Sequence, residues 1–229
     1  MSEQPYADLE RSRVRRLPER SSRERALVHS ILDEGLIGHV GFASERGPVV
    51  IPMLYARDGE RLYLHGSPAS RLMRTLARGV PVCLTVTHLD ALVLARSAFH
   101  HSMNYRSAVV FGTAREVTGL EEKRRALAAI VEHVVPGRSP DTRPPSEFEE
   151  KYTRVLVLEI EEASAKVRAG GPKDDESDLA LPHWAGVIPL RLVAGAPQPE
   201  PDLAPHIKPP PYAEHYRRAA TVERCASEW

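Results

Sequence analysis

The chain has 229 residues, 42% of them hydrophobic, and its 31 Lys+Arg are balanced by 31 Asp+Glu. That length can bury one sizeable core, and the zero formal net charge gives no sign of a nucleic-acid or anionic-membrane partner. No stretch approaches the roughly 20 apolar residues of a membrane span. MSEQPYADLERSRVRR lacks the apolar segment of a signal peptide, and the two cysteines, Cys83 and Cys225, form neither a CxxC pair nor a disulfide framework. A soluble cytoplasmic protein is expected.

Residues 1–20 read as an Arg-rich arm without apolar periodicity. No aromatic residues interleave its arginines, so it is expected to rest on its own domain or on a partner subunit rather than on nucleic acid. Ser21-Ser22-Arg23-Glu24 fits a capping box. Leu27, Val28, Ile31 and Leu32 then recur at helical spacing up to Gly35.

From Gly38 the period shortens. GHVGFA, VVIPMLYA and RLYLHG read as an antiparallel meander, with turns at Glu45-Arg46-Gly47 and Arg57-Asp58-Gly59. VPVCLTVTHL, ALVLARSAF and SAVVFGTAREV bring the count to six, which suggests a closed or nearly closed barrel. Between them Ser67 is placed as an N-cap, Pro68 as the first helical residue and Gly79 as the stop.

Thr118-Gly119-Leu120-Glu121 is a second capping box, opening a helix with Leu127, Ile130, Val131 and Val134 on one face. A short helical piece is expected over 147–152. TRVLVLEIEEASAKVRA then reads as one long strand that can bend. Half of the 20 prolines follow Gly171. WAGVIPLRLV is an apolar island among them, and 196–229 is a Pro-rich tail, ordered only where it lies against something. The single domain is placed at 21–195.

Four stretches could carry chemistry. In HGSPASRLMR a helix N-terminus directly follows a strand, and Ser67, Ser70, Arg71 and Arg74 surround it, a pattern suited to an anion. Simple capping with solvated arginines is the competing reading. In ARSAFHHSMNYRSAVVFG a polar connection holds His100, His101, Asn104 and Tyr105, with Arg106 and Ser107 at the next strand's entrance. Adjacent histidines in a strand point to opposite sides and no acid or thiol stands at ligand spacing, so no metal site is expected. A haem needs only one histidine, and His65, His100 and His101 stay open for it. In VVIPMLYA, Pro52 inside a strand marks an edge, a bulge or a ligand. In SAKVRAGGPKDDESDLALPHWAG, Lys166 and Arg168 share a strand face, the cluster Asp174-Asp175-Glu176 reads as solvated, and Trp184 needs a cover.

RRLPER, ILDEG, GHVGF, IPMLY, LYLHGSPASRLMRTL, LVLARSAFHHSMNYRS, VVFG, SAKVR and WAGVIPL occur in this order over about 15–193. On these the chain resembles the pyridoxamine 5′-phosphate oxidase-like flavoproteins, in the flavin-nucleotide-binding subgroup related to nitroimidazole reductases. The resemblance implies an α+β, mainly β fold: an antiparallel six-stranded split barrel flanked by helices, in a homodimer with FMN in the groove between subunits. Ile51, Pro52 and Met53 would line the flavin ring through their backbone, continued by His65, Gly66 and Ser67. Ser70 and Arg71 would hold the phosphate, with Arg106 and Ser107 reaching it or the ribityl chain from the neighbouring strand. Lys166, Arg168 and Trp184 would approach from the second subunit.

Pyridoxamine phosphate oxidases carry Arg-Lys where this chain has Arg71-Leu72, and their C-terminal substrate motif is missing. Another small substrate is therefore expected. The implied function is an FMN-dependent oxidoreductase; the alternatives are a non-catalytic carrier of flavin, FAD included, and a haem-binding protein.

Overall fold

The computed structural model describes residues 4–217, so Cys225 and the end of the tail lie outside the described residues. Its strands are β1 (Ser21–Ser22), β2 (Ile37–Ser44), β3 (Gly47–Asp58), β4 (Arg61–Gly66), β5 (Pro81–Leu94), β6 (Ser102–Glu116), β7 (Arg154–Glu159), β8 (Glu162–Arg168) and β9 (Gly186–Pro189). Its helices are α1 (Arg25–Glu34), α2 (Arg71–Leu76), α3 (Leu120–Val134), α4 (Glu147–Tyr152) and α5 (Pro211–Glu214).

All pairings are antiparallel. β2, β3, β4, β7, β6 and β5 pair in that order, and β5 returns to β2, so six strands close a ring. Outside it, β8 lies on β6, β1 on β8 and β9 on β5.

Strand alternation fills the ring. Val40, Leu64, Leu84, Val86, Ala108, Val110 and Leu158 point inward, with Val28, Ile31 and Leu32 of α1 and Leu72, Met73 and Leu76 of α2 packed against them. A second cluster joins Tyr63, Val155 and Val157 of the sheet to Ala126 and Ile130 of α3. Val131, expected on the apolar face of α3, stays 36% exposed.

Several expectations shift. VPVCLTVTHL and ALVL are one strand, β5, with an irregularity between Leu89 and Ala91; the sixth ring strand is β7. TRVLVLEIEEASAKVRA does bend: both halves pair with β6, but β7 takes β4 on its other side and β8 takes β1. Asn104 and Tyr105 lie inside β6 rather than in a connection. Neither expected capping box forms: Ser21 and Ser22 pair with Lys166 and Ala165 while Glu24 caps α1, and Gly119 caps α3. A capping box does form at Ser146 and Glu149, opening α4 over the expected 147–152. The tail binds back where it can: Tyr212 and Tyr216 donate their hydroxyls to Asp141 and to the Val134 carbonyl.

Gly35 ends α1 in extended backbone, so its left-handed freedom is not used. Its value is space: a Cβ there would stand 2.5 Å from Val86 Cγ1 and 2.8 Å from the Tyr55 hydroxyl. Gly112 is tighter still. β6 pairs β8 through Phe111 and β7 from Ala114, and the β7–β8 corner presses on it between the two. A Cβ at Gly112 would come within 2.1 Å of the Glu159 carbonyl oxygen. Gly112→Ala is expected to cost about 3 kcal/mol, the upper end of ordinary overpacking. Gly171→Ala, where a Cβ meets nothing within 4 Å, should stay within about 0.5 kcal/mol of wild type. Denaturant melts of the two variants test this.

Candidate functional site

β3 pairs β2 from Gly47 to Leu54, but it pairs β4 only from Tyr55 to Asp58. β4 runs on to Gly66 against β7. The two strands therefore part, and the edge of β3 that carries Ile51, Pro52 and Met53 has no ladder partner on the β4 side. Continuing the hairpin register by two residues sets Met53 across from Gly66. Main-chain polar groups require partners, so this edge can offer donors and acceptors to a flat heterocycle. Pro52 is exposed and contributes no N–H, while Ile51 and Met53 pack their side chains on the core.

His65 stands at the end of β4. Its Nδ1 is buried without a hydrogen-bond partner, and burial pushes its pKa below the ordinary 6.5. The imidazole is thus held neutral. Beyond Gly66, Ser67 makes a turn in which its carbonyl accepts from Ser70 N–H (2.9 Å) and its hydroxyl from Ala69 N–H (3.2 Å).

The helix that follows starts three residues later than expected. Ser70, not Ser67, is the N-cap, and its hydroxyl makes no capping bond. At six residues α2 has little macrodipole to offer. Anion attraction at this turn therefore rests on the exposed Arg71 and Arg74, which make no ion pair among the described residues, and on the hydroxyls of Ser67 and Ser70.

Arg106 and Ser107 were both expected to reach the phosphate or the ribityl chain. The strand separates them, because neighbours in β6 face opposite sides. Ser107 shares a hydrogen bond with Thr87 Oγ1 (2.9 Å) and donates to the Val86 carbonyl (3.2 Å). Arg106 turns to the core side and is 9% exposed. Its Nε and Nη2 donate to Asp90 at 3.0 and 2.8 Å, and Nη1 and Nη2 grip Glu34, the latter at 2.8 Å. The Glu34 hydrogen bond is the main cause that raises its pKa beyond the ordinary arginine value, with Asp90 adding to it. Within the chain this guanidinium ties the end of α1 to β5.

The register sets Lys166 beside Ser107 and Arg168 beside Tyr105, on the outer face of the sheet. Lys166 Nζ donates to the Arg16 carbonyl at 2.8 Å. Arg168, 7% exposed, donates to the carbonyls of Gly170 and Gly171 and to Asn104. Trp184 is 66% exposed and lies over Gly186, where a Cβ would be 2.8 Å from its ring. In sheet order β6 and β7 separate β8 from β4, so Lys166 and Arg168 stand away from the β3–β4 opening of their own chain, while Trp184 precedes β9, which lies on β5.

The polar loop after Ala95 is held by its own chain. Arg96 clamps Asp174 through its main-chain N–H (2.8 Å) and its guanidinium (2.7 Å), and His100 meets Asp175 at 3.3 Å. Asp174 is therefore not solvated as expected: its side chain is 2% exposed. His101 is exposed and bonds the Ser97 carbonyl. Glu34 and Asp90 escaped the sequence reading as partners, and Asp174 was read there only as solvated. Glu34 did leave a signal, since an acid in the last turn of a helix opposes the macrodipole and needs a partner.

Among the described residues, no group of three or more His, Cys, Asp or Glu is placed to hold a metal ion, and no helix is long and apolar enough to cross a membrane. The family model described as pyridoxamine 5′-phosphate oxidase matches residues 24–167. A search of curated protein sequences finds no match. Among solved structures, the flavocytochrome Anf3 from Azotobacter vinelandii is 38% identical with a TM-score of 0.87, covering 93% of this chain and 99% of its own. An FAD- and haem-binding protein from Mycobacterium smegmatis is 36% identical with a TM-score of 0.81, covering 84% and 95%. A putative 5-nitroimidazole antibiotic resistance protein from Bacteroides thetaiotaomicron is 26% identical with a TM-score of 0.56, covering 64% and 86%.

Two measurements follow from the geometry. Arg106→Met leaves Glu34 and Asp90 without their shared cation and is expected to cost about 3–5 kcal/mol in a denaturant melt. For His65 the folded pKa lies below 6.5, so the unfolded chain takes the proton first as pH falls through that value, and stability drops. His65→Gln lacks this titration. Its denaturant midpoint relative to wild type should therefore rise between pH 8 and pH 5.5.

Proposed function

Because the chain belongs to the pyridoxamine 5′-phosphate oxidase family, we propose that it is a flavin-binding redox protein whose flavin lies along the open edge of β3. That unpaired edge, facing the Ser67–Arg71 turn, is the observation that carries the reading. A flavin pairs a flat ring rich in hydrogen-bonding atoms with a phosphate, and the opening sets main-chain edges beside a turn with two unpaired arginines. Bound flavin supplies the hydride and electron chemistry. The chain's own groups have simpler tasks: residues 51–53 and 65–67 orient the ring, and Ser70 and Arg71 take the phosphate.

FAD is favoured over FMN by the similarity to the M. smegmatis protein named for FAD and haem. A homodimer that closes the groove is supported by exposed apolar side chains at Phe99, Met103, Trp184, Ile188, Leu192 and Val193. In such a dimer, Trp184 of one protomer can cover the opening of its partner. The substrate is a small molecule other than pyridoxamine phosphate, consistent with Leu72 after Arg71.

A second reading adds haem, and His65 favours it. Of the three candidate histidines, His100 faces an acid and His101 sits exposed on a carbonyl. Only His65 pairs a neutral ring with an orphaned nitrogen, the state in which imidazole ligates iron.

The absorbance spectrum of the purified protein tests both readings. A two-band flavin spectrum is expected, and its absence after incubation with FAD and FMN removes the first. Arg71→Ala should weaken flavin binding by about 1.5–3 kcal/mol, ten- to more than a hundredfold. An intense Soret band that disappears in His65→Ala would establish the haem ligand; a Soret band unchanged in that variant assigns the ligand elsewhere.

A further inference from the structure

Arg168 is 93% removed from water, yet no carboxylate meets it among the described residues. Its hydrogen bonds go to neutral oxygens, those of Asn104, Gly170 and Gly171. A charge buried this deeply ordinarily has a counter-charge. Here Arg20 carries the same sign, and its repulsion adds to burial in lowering the Arg168 pKa. Lys166 and the backbone of Arg16 stand beside them. Ser21 pairs with Lys166, which brings the end of the arm onto β8, and the Lys166 ammonium bonds the Arg16 carbonyl. None of Arg16, Arg20, Lys166 and Arg168 makes an ion pair among the described residues, although most arginines of the neighbouring arm and sheet do: Arg11, Arg13, Arg15, Arg23 and Arg115 all hold acids. Glu19, between two of the cations in sequence, forms no ion pair either.

The backbone that delivers the arm is strained. Leu17 adopts φ 55°, ψ 60°, the one positive φ among described non-glycine residues, and it does so directly before Pro18. A left-handed leucine costs on the order of 1–2 kcal/mol, and a following proline disfavours helical backbone further. Such strain persists where the surroundings require it and concentrates at ligand clamps. It folds the chain so that Pro18–Arg20 lies on β8.

We propose that Arg16, Arg20, Lys166 and Arg168 form an anion seat for a small ligand with paired oxyanion groups, as in a pyrophosphate or a dicarboxylate. Arg16, Arg20 and Arg168 lie outside residues 24–167, the span that matches the family model, so the seat is not contained in that match. Arg168 is its fixed floor, held by three oxygens. Arg16 and Arg20 are its adjustable rim, carried on the strained arm. The ligand is either an anionic part of the prosthetic group or a separate substrate; both present the same paired oxygens.

Calorimetric titration of inorganic pyrophosphate into the full chain, with and without flavin, tests the seat independently of the flavin reading. Wild type is expected to bind at one site with an affinity that falls as salt rises. Arg16→Gln/Arg20→Gln should weaken it at least tenfold, while Arg46→Gln, a substitution in the distant β2–β3 turn, should leave it unchanged. Uptake lost when flavin is loaded assigns the seat to the cofactor, and uptake retained assigns it to a second ligand. Failure of wild type to bind pyrophosphate, or equal binding by the double variant, overturns the proposal. A protein that binds pyrophosphate as expected but shows no flavin spectrum refutes the flavin reading alone.

Discussion

The molecule depends on one strand changing partners where it has no side chain. β6 runs beside β8 up to Phe111 and beside β7 from Ala114. Gly112, between these, admits the carbonyl of Glu159 to a position that any Cβ would occupy. The β7–β8 corner then locks onto it, with Glu161 N–H donating to the Phe111 carbonyl at 3.1 Å and Ile160 N–H to the Glu60 carbonyl at 2.9 Å. This corner lets β7 close the ring while β8 runs off along the outer face. Ring closure consumes sheet edges, and β3 keeps an open edge at Ile51 to Met53, where it parts from β4.

At the end of the ring under α1, charge adds to the apolar packing of Val28, Ile31 and Leu32. Arg106 joins the last turn of α1 to the irregular point of β5, and His88 adds a bond to the Ile31 carbonyl at 2.9 Å. Removing one partner from such a group costs more than the group contributes intact. This gives Arg106 a structural reason to be arginine before any ligand is considered. The neighbouring Ser107 is left to the outer face with Lys166, which divides the polar residues of β6 between two tasks.

Chemistry is distributed in the same way. The β3–β4 opening has main-chain edges, a neutral histidine and Arg71. The outer face of β8 has Lys166 and Arg168, which make no ion pair among the described residues, and an N-terminal arm bent at Leu17 beside them. In one chain these regions lie on different strands of the sheet, separated by β6 and β7. A groove formed by two copies is the arrangement that could bring them near one another.

Patterns local in the chain were readable in advance: the helical spacing of Val28, Ile31 and Leu32, the alternation of β2 to β6, the piece at 147–152, and the ordered motifs that mark the family. Each expresses short-range sterics and burial, with periods of two and 3.6 residues. Capping was less legible, because Ser21 and Ser22 satisfy β8 instead of α1 and strand pairing overrode a local motif. What tertiary structure alone decided is which side chains meet across long separations in sequence. Arg106 finds Glu34, Arg96 finds Asp174, and Arg168 finds only neutral oxygens. Spacing identifies a residue as charged and places it on a strand, but its counter-charge comes from a distant segment. Whether a cation is already neutralised or still open to a ligand is therefore settled only when the ring closes.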